Sequence, residues 1–148
     1  LSENVISSLV REMTAKAKEK KLELIFEKGD FDHTLVIDRY TITQILANLL
    51  DNSIKYTKHG EIKISTKKNP GEIEVLITDT GIGISPEYQE RIFEPFSQEE
   101  QGYTRKYEGN GLGLALVKKF CDLNSIKITL DSEKGKGSCF RIIIPLTE

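Results

Sequence analysis

Three short segments of this chain carry residue types from which a nucleotide pocket can be built. Asp79 opens D-T-G-I-G-I-S at residues 79–85, a carboxylate at the head of a turn containing Gly81 and Gly83. Glycine lets such a turn close tightly and lets backbone approach a flat ligand. A carboxylate accepts hydrogen bonds and donates none, so Asp79 suits the exocyclic amine of adenine and disfavours a guanine carbonyl presented there. Taken alone, D-x-G-x-G is a weak signal, and a β-turn without a ligand is its favoured reading. Upstream, residues 48–56 read N-L-L-D-N-S-I-K-Y. Asn48, Asn52 and Lys55 are spaced i, i+4, i+7 and share one helical face. They lie on the shoulder of the apolar stripe Ile42, Ile45, Leu46 and Leu49. Asn costs a helix about half a kcal/mol relative to Ala, so two in mid-helix call for a reason. On this helix alone, plain solvation explains them equally well. Downstream, G-N-G-L-G at residues 109–113 opens a helix. Free N–H groups at the positive helix end make an anion site there. The cluster follows a loop and lacks the dinucleotide spacing, while G-K-G-S at residues 135–138 leads into a strand and is no P-loop.

Together with I-F-E-P-F at residues 92–96, these segments resemble in order and spacing the N, G1, F and G2 boxes of sensor histidine kinases. The resemblance spans roughly residues 34–145. That family's catalytic domain binds ATP in the Bergerat fold shared with gyrase-type ATPases. The resemblance implies ATP and Mg²⁺ as cofactors and the catalytic half of a protein-histidine kinase. It implies that the Asn52 side-chain oxygen holds Mg²⁺ bridging the triphosphate, which suits an ion that takes few protein oxygens and keeps its waters and phosphates. Asn48, Lys55 and Tyr56 would line the same wall, Lys55 near phosphate and Tyr56 beside base or ribose. Asp79, Gly81, Gly83 and Ile84 would form the adenine side. Phe93 and Phe96 would anchor the base of a lid. Within the lid, Arg105 and Lys106 are the cations available to terminal phosphate oxygens, with a solvated charge cluster as the equal alternative. Gly109, Gly111, Leu112, Gly113 and Leu114 would complete the ATP site. Asn110 stands where most relatives carry Thr, which keeps the glycine backbone and removes a hydroxyl.

Asn48 separates branches of the superfamily. Gyrase, mismatch-repair and heat-shock chaperone relatives carry a water-activating Glu at the matching position. An amide has no basic lone pair at pH 7, so this pocket is expected to hold ATP without hydrolysing it well. The phosphoacceptor His, which the family places on a dimeric helical hairpin beside an acidic residue, has no counterpart. His33 falls in a turn between strands and His59 at a helix end beside Gly60, and both read as surface or capping residues. The implied partners are ATP, a dimerisation and phosphoacceptor domain absent from this chain, and indirectly a response regulator receiver domain. The isolated domain is expected to be a monomer and the full-length protein a homodimer. The alternative is an ATP-gated conformational or scaffold module of the same superfamily.

The elements that must position these residues read as one domain over residues 1–148, long enough to bury its own core. A net charge of −2 gives no reason to expect nucleic acid or contact with an anionic membrane. No apolar run approaches the length of a bilayer span, and the start is not a signal peptide. Cys121 and Cys139 are too few for a disulfide framework and read as small buried hydrophobes in a reducing, cytoplasmic setting. Residues 1–20 carry Val5, Ile6, Leu9, Val10 and Met13 at helical spacing. They read as a helix continuing from a missing upstream region, the chain being a piece of a longer protein. Strands are expected at Leu22–Phe26, Thr34–Ile37, Glu61–Lys67, Glu72–Thr78, Lys127–Asp131 and Ser138–Pro145. Asp38 is the expected cap of a helix over Arg39–Thr57, and Ser85 of a short helix opening at Pro86. Asn69-Pro70-Gly71 forms the hairpin connection, residues 97–110 read as a long mobile loop, and a last helix covers Leu112–Leu123. The fold class is α+β, a two-layer α/β sandwich of a mixed sheet covered on one face by helices.

Overall fold

The computed structural model describes residues 2–29, 39–94 and 113–146. In chain order these contain α1 (Ser2–Glu19), β1 (Glu23–Glu27), α2 (Arg39–Tyr56), β2 (Glu61–Asn69), β3 (Glu72–Asp79), α3 (Pro86–Gln89), α4 (Gly113–Leu123), β4 (Lys127–Glu133) and β5 (Gly137–Pro145). The expected strand Thr34–Ile37, the cap Asp38, His33 and the loop 97–110 lie outside the described residues.

Helical periodicity places Ile6, Leu9, Met13 and Ala17 of α1 on one buried face. The helix ends in a Schellman motif, with Lys21 N–H on Lys18 O at 2.9 Å and Leu22 N–H on Ala17 O at 2.9 Å. Lys21 adopts the left-handed conformation, φ +61°, which the motif demands and glycine usually fills. The strands form one five-stranded sheet in the order β1-β2-β3-β5-β4. β1 runs parallel to β2 and the other pairings are antiparallel. β2 reaches Asn69 and β4 reaches Glu133, two residues further than their apolar alternation indicated, because cross-strand pairing continues to the turns.

Alternation along the strands turns Ile62, Ile64, Ile73, Val75, Ile77, Phe140, Ile142 and Ile144 toward the helices. They pack against Ile42, Ile45, Leu46, Leu49 and Leu50 of α2 and Val117 and Cys121 of α4, all buried. Burial pushes the Cys121 thiol up to about 11, so it behaves as a hydrophobe. Cys139 departs from the expectation. The pleat that sends Phe140 inward sends Cys139 to the outer face, where it is half-buried and accepts a weak bond from Thr78 Oγ1 at 3.5 Å. That face is polar, with Arg141 on Glu74 at 2.8 Å and Lys63 on Glu27 at 3.5 Å. The two-layer sandwich with helices on one face is as expected. No helix among the described residues is long and apolar enough to cross a membrane.

The cap of α3 differs from its sequence reading. Ser85 stands at the N-cap in extended conformation, but its side chain makes no capping bond. Its carbonyl instead receives Tyr88 N–H at 3.1 Å and Gln89 N–H at 3.0 Å. With Pro86 supplying no N–H and only one turn to cap, the backbone carbonyl suffices.

Candidate nucleotide-binding site

α2 lies between α1 and α4 and carries the asparagine face. Asn48 is half-buried, and its Nδ2 donates to Gln44 O at 2.7 Å, one turn back in the same helix. Its Oδ1 points to the start of α4, 3.4 Å from where a Cβ on Gly113 would sit. The asparagine helix and the last glycine of the downstream cluster therefore meet. Asn52, half-buried one turn further on, has no hydrogen-bond partner among the described residues. Lys55 is turned toward Asp51, with Nζ 3.2 Å from Oδ2, and Lys16 of α1 approaches the other oxygen at 3.9 Å. Exposed pairs of this kind contribute little and exchange readily.

Asp79 ends β3 with only 7 % of its surface exposed. Gly81 N–H reaches its Oδ1 at 2.9 Å and Ser138 N–H reaches the same oxygen at 3.2 Å. Ser138 is its cross-strand partner in β5, so the pairing register supplies that donor. Oδ2 takes no bond among the described residues and is left as an acceptor. Burial pushes the Asp79 pKa up, against the pull of the Gly81 N–H, the Ser53 hydroxyl and the Ser138 N–H. Ser53 Oγ is near enough to favour the carboxylate, yet it makes no hydrogen bond of good geometry, and neither does the equally buried Thr57 Oγ1.

The two glycines of the turn make room chiefly for protein. A Cβ on Gly81 would sit 2.5 Å from Tyr56 O and 2.9 Å from both Thr57 Oγ1 and Asp79 Oδ1. One on Gly83, at φ +73°, would sit 2.0 Å from Glu133 O in the β4–β5 turn. Ile82 N–H donates to Tyr56 O at 3.1 Å and Ile82 O accepts Gly135 N–H at 2.7 Å, so the turn is pinned between the end of α2 and the β4–β5 hairpin. A shallow, open depression lined by Lys58, His59, Thr80, Gly81, Ile82, Lys134 and Gly135 shares only Gly81 with the site residues.

Of the remaining candidates, Ile84 is buried with Tyr88 and Ile92 in a small cluster against which half-buried Phe93 and Leu114 pack. Phe93 also meets Phe140 edge-on, ring centroids 6.4 Å apart. Both side chains are core at this end of the molecule. Phe96, Arg105, Lys106, Gly109, Gly111 and Leu112 lie outside the described residues. Sequence reading passed over Ser53, Thr57 and Ser138. A hydroxyl at position 53, directly beside Asn52 and on the buried side of α2, was the signal available for the first.

The donor set fits the metal that the fold implies. Asn52 offers a hard amide oxygen with no hydrogen-bond partner among the described residues, and no three His, Cys, Asp or Glu side chains cluster among those residues. An ion held there would complete its shell with phosphate and water, as Mg²⁺ does.

Comparison with known proteins places this geometry. The family described as histidine kinase-, DNA gyrase B-, and HSP90-like ATPase matches residues 37–148. Hybrid signal transduction histidine kinase B of Dictyostelium discoideum is 37 % identical over 95 % of this chain, and the autoinducer 2 sensor kinase/phosphatase LuxQ of Vibrio harveyi is 38 % identical over 87 %. The chain spans only 8 % and 16 % of the length of those two proteins. Among solved structures, full-length ShkA in complex with AMPPNP superposes with a TM-score of 0.85 at 27 % identity, over 98 % of this chain and 30 % of that one. The catalytic domain of histidine kinase ThkA superposes at 0.76 with 30 % identity, over 95 % of this chain and 92 % of that one. This chain therefore belongs to the histidine kinase-, DNA gyrase B- and HSP90-like ATPases, and within them it is an ATP-binding catalytic domain of the sensor histidine kinase type.

Proposed function

We propose that this domain takes Mg-ATP between the asparagine face of α2 and the Asp79 turn, and presents its γ-phosphate to a histidine on a separate dimerisation and phosphoacceptor domain. The observation that carries the reading is Asp79, a buried carboxylate with both backbone donors on one oxygen and the other oxygen left to accept. Such an acceptor matches the amine of adenine and meets the carbonyl of guanine with repulsion. Asn52 is the metal-facing oxygen, and bound Mg²⁺ would screen the phosphate charge. Lys55 would exchange Asp51 for a phosphate oxygen at little cost. Asn48 keeps the site from hydrolysis: its Nδ2 is committed to Gln44 O, and its Oδ1 is an amide oxygen that takes no proton from water. That chemistry favours a kinase-type site over a hydrolytic chaperone-like cycle. Histidine phosphorylation, homodimerisation of the parent protein and transfer to a receiver domain follow as part of the same proposal.

Mixing this domain with its histidine hairpin and γ-labelled ATP tests the reading. Label on the hairpin that is acid-labile and alkali-stable is the expected product. Label that stays on ATP or appears only as free phosphate would overturn it.

A further inference from the structure

The last four carbonyls of any helix lack intrahelical partners. At the end of α2, the helix that carries Asn48 and Asn52, three of those groups are satisfied from two directions. Tyr56 O receives Ile82 N–H from the Asp79 turn at 3.1 Å. Ile54 O and Lys55 O receive a single side chain, Lys20, whose Nζ lies 2.6 Å from the first and 3.0 Å from the second. Lys20 comes from the end of α1, 34 residues away in sequence. Its backbone is held by the Schellman motif just before left-handed Lys21, and its N–H donates to Ala17 O at 3.0 Å. Leu22 beyond it is buried, and Glu23 N–H reaches Gly60 O at 3.3 Å on the far side of the α2 terminus. The ammonium is thus delivered from a fixed base onto a helix C-terminus, where the dipole favours a cation. Partial burial lowers the Lys20 pKa, as for a cation drawn out of water onto carbonyls.

The tie matters because there is no slack beyond it. Gly81 would clash with Tyr56 O and Thr57 Oγ1 if it carried even a methyl group. The Gly81 N–H in turn holds the Asp79 carboxylate. A shift of the final turn of α2 therefore reaches Asp79 through Tyr56, Ile82 and Gly81. We propose that Lys20 is a positioning residue for nucleotide binding, locking the last turn of α2, and through it the Asp79 turn, in the arrangement that receives adenine. The proposal rests on the reading of Asp79 as the adenine acceptor. Lys20 itself touches no ligand.

The test is titration calorimetry of this chain with ADP and with GDP, at a temperature where circular dichroism shows each variant fully folded. Under that condition a purely structural contribution leaves affinity unchanged. Lys20→Met should weaken ADP binding about tenfold and narrow the preference for ADP over GDP. Lys20→Arg, which keeps a cation with several donors, should restore affinity to within about twofold of the unsubstituted chain. If Lys20→Met fails to fold, Lys20→Gln, which keeps one donor, carries the same two expectations. A folded variant with unchanged ADP affinity and unchanged ADP-over-GDP preference would overturn the positioning role and leave the nucleotide site standing. Absence of ADP binding by the unsubstituted chain would overturn both.

Discussion

A single carboxylate sets the terms at the scale of the residue. Asp79 is buried where ionisation is costly, and its pKa is raised for that reason first. The sign of its linkage follows. A carboxyl whose folded pKa exceeds its unfolded value binds more protons in the native state, so stability falls as pH rises from about the ordinary value of 3.8 through the folded pKa. The ionised form is carried at the expense of stability. Asp79→Asn keeps an oxygen for the Gly81 and Ser138 N–H groups and removes the buried charge, so its melting temperature should be unchanged or higher by a few degrees. Its ATP affinity should nevertheless drop roughly 10- to 100-fold, because an amide N–H would then face the adenine amine. A large loss of stability in thermal melts, or unchanged affinity in calorimetry, would contradict this. Asn52→Ala should weaken ATP binding in the presence of Mg²⁺ and leave binding in EDTA nearly unaltered, since the amide oxygen has no hydrogen-bond partner among the described residues to lose. Equal effects with and without metal would remove Asn52 from the metal site.

At the scale of the element, what matters is how turns and helix ends are fitted to each other. Gly83 and Gly135 both sit at positive φ, +73° and +87°, but in different surroundings. A methyl group on Gly83 would run into the Glu133 carbonyl at 2.0 Å, whereas nothing lies within 4 Å of one on Gly135. Gly135→Ala should cost about 1–2 kcal/mol of unfolding free energy from backbone strain alone. Gly83→Ala should cost about 3 kcal/mol or more, because backbone must move as well. Urea denaturation of the pair measures the difference, and equal costs would show that the Asp79 turn and the β4–β5 hairpin are not packed as described. Much of this level is legible in sequence. The periodicity of α1, α2 and α4 and the alternation in β2, β3 and β5 give their positions to within a residue or two. The Ser85 side chain that makes no capping bond and the left-handed Lys21 and Ser125 were not legible, since each depends on which backbone groups lie nearby.

For the whole molecule, the division of labour between binding and chemistry is the main consequence. The described part of the proposed site has a buried carboxylate, Asp79, and the amide of Asn52, and His59, the one described histidine, sits exposed in the turn after α2. With neither general base nor positioned nucleophile among the described residues, ATP held in the proposed site would have only solvent to react with. It forgoes the proximity that contributes factors of about 10⁵ or more. The isolated domain should therefore show ATP turnover barely above buffer hydrolysis. The histidine hairpin added in trans should restore phosphotransfer weakly, because a natural tether holds its partner at roughly millimolar effective concentration. Rapid steady ATP hydrolysis by the domain alone, or acid-labile phosphate on His59, would place it in a different branch.

Sequence by itself determined the family resemblance, the fold class, the asparagine face of α2 and the amide at position 48. Those features rest on residue type, on periodicity within single elements and on the order of short motifs along the chain, all of which the sequence displays directly. Only the tertiary structure decided that Ile84 and Phe93 are packed into core, that Lys55 rests on Asp51, and that the glycines of the Asp79 turn accommodate the end of α2 and the β4–β5 hairpin. It also supplied Ser138 as a donor to Asp79, and Lys20 as the tie on α2, from opposite ends of the chain. Such contacts join residues dozens of positions apart. Strand order, register and helix packing fix them, and no local pattern in the sequence carries that information.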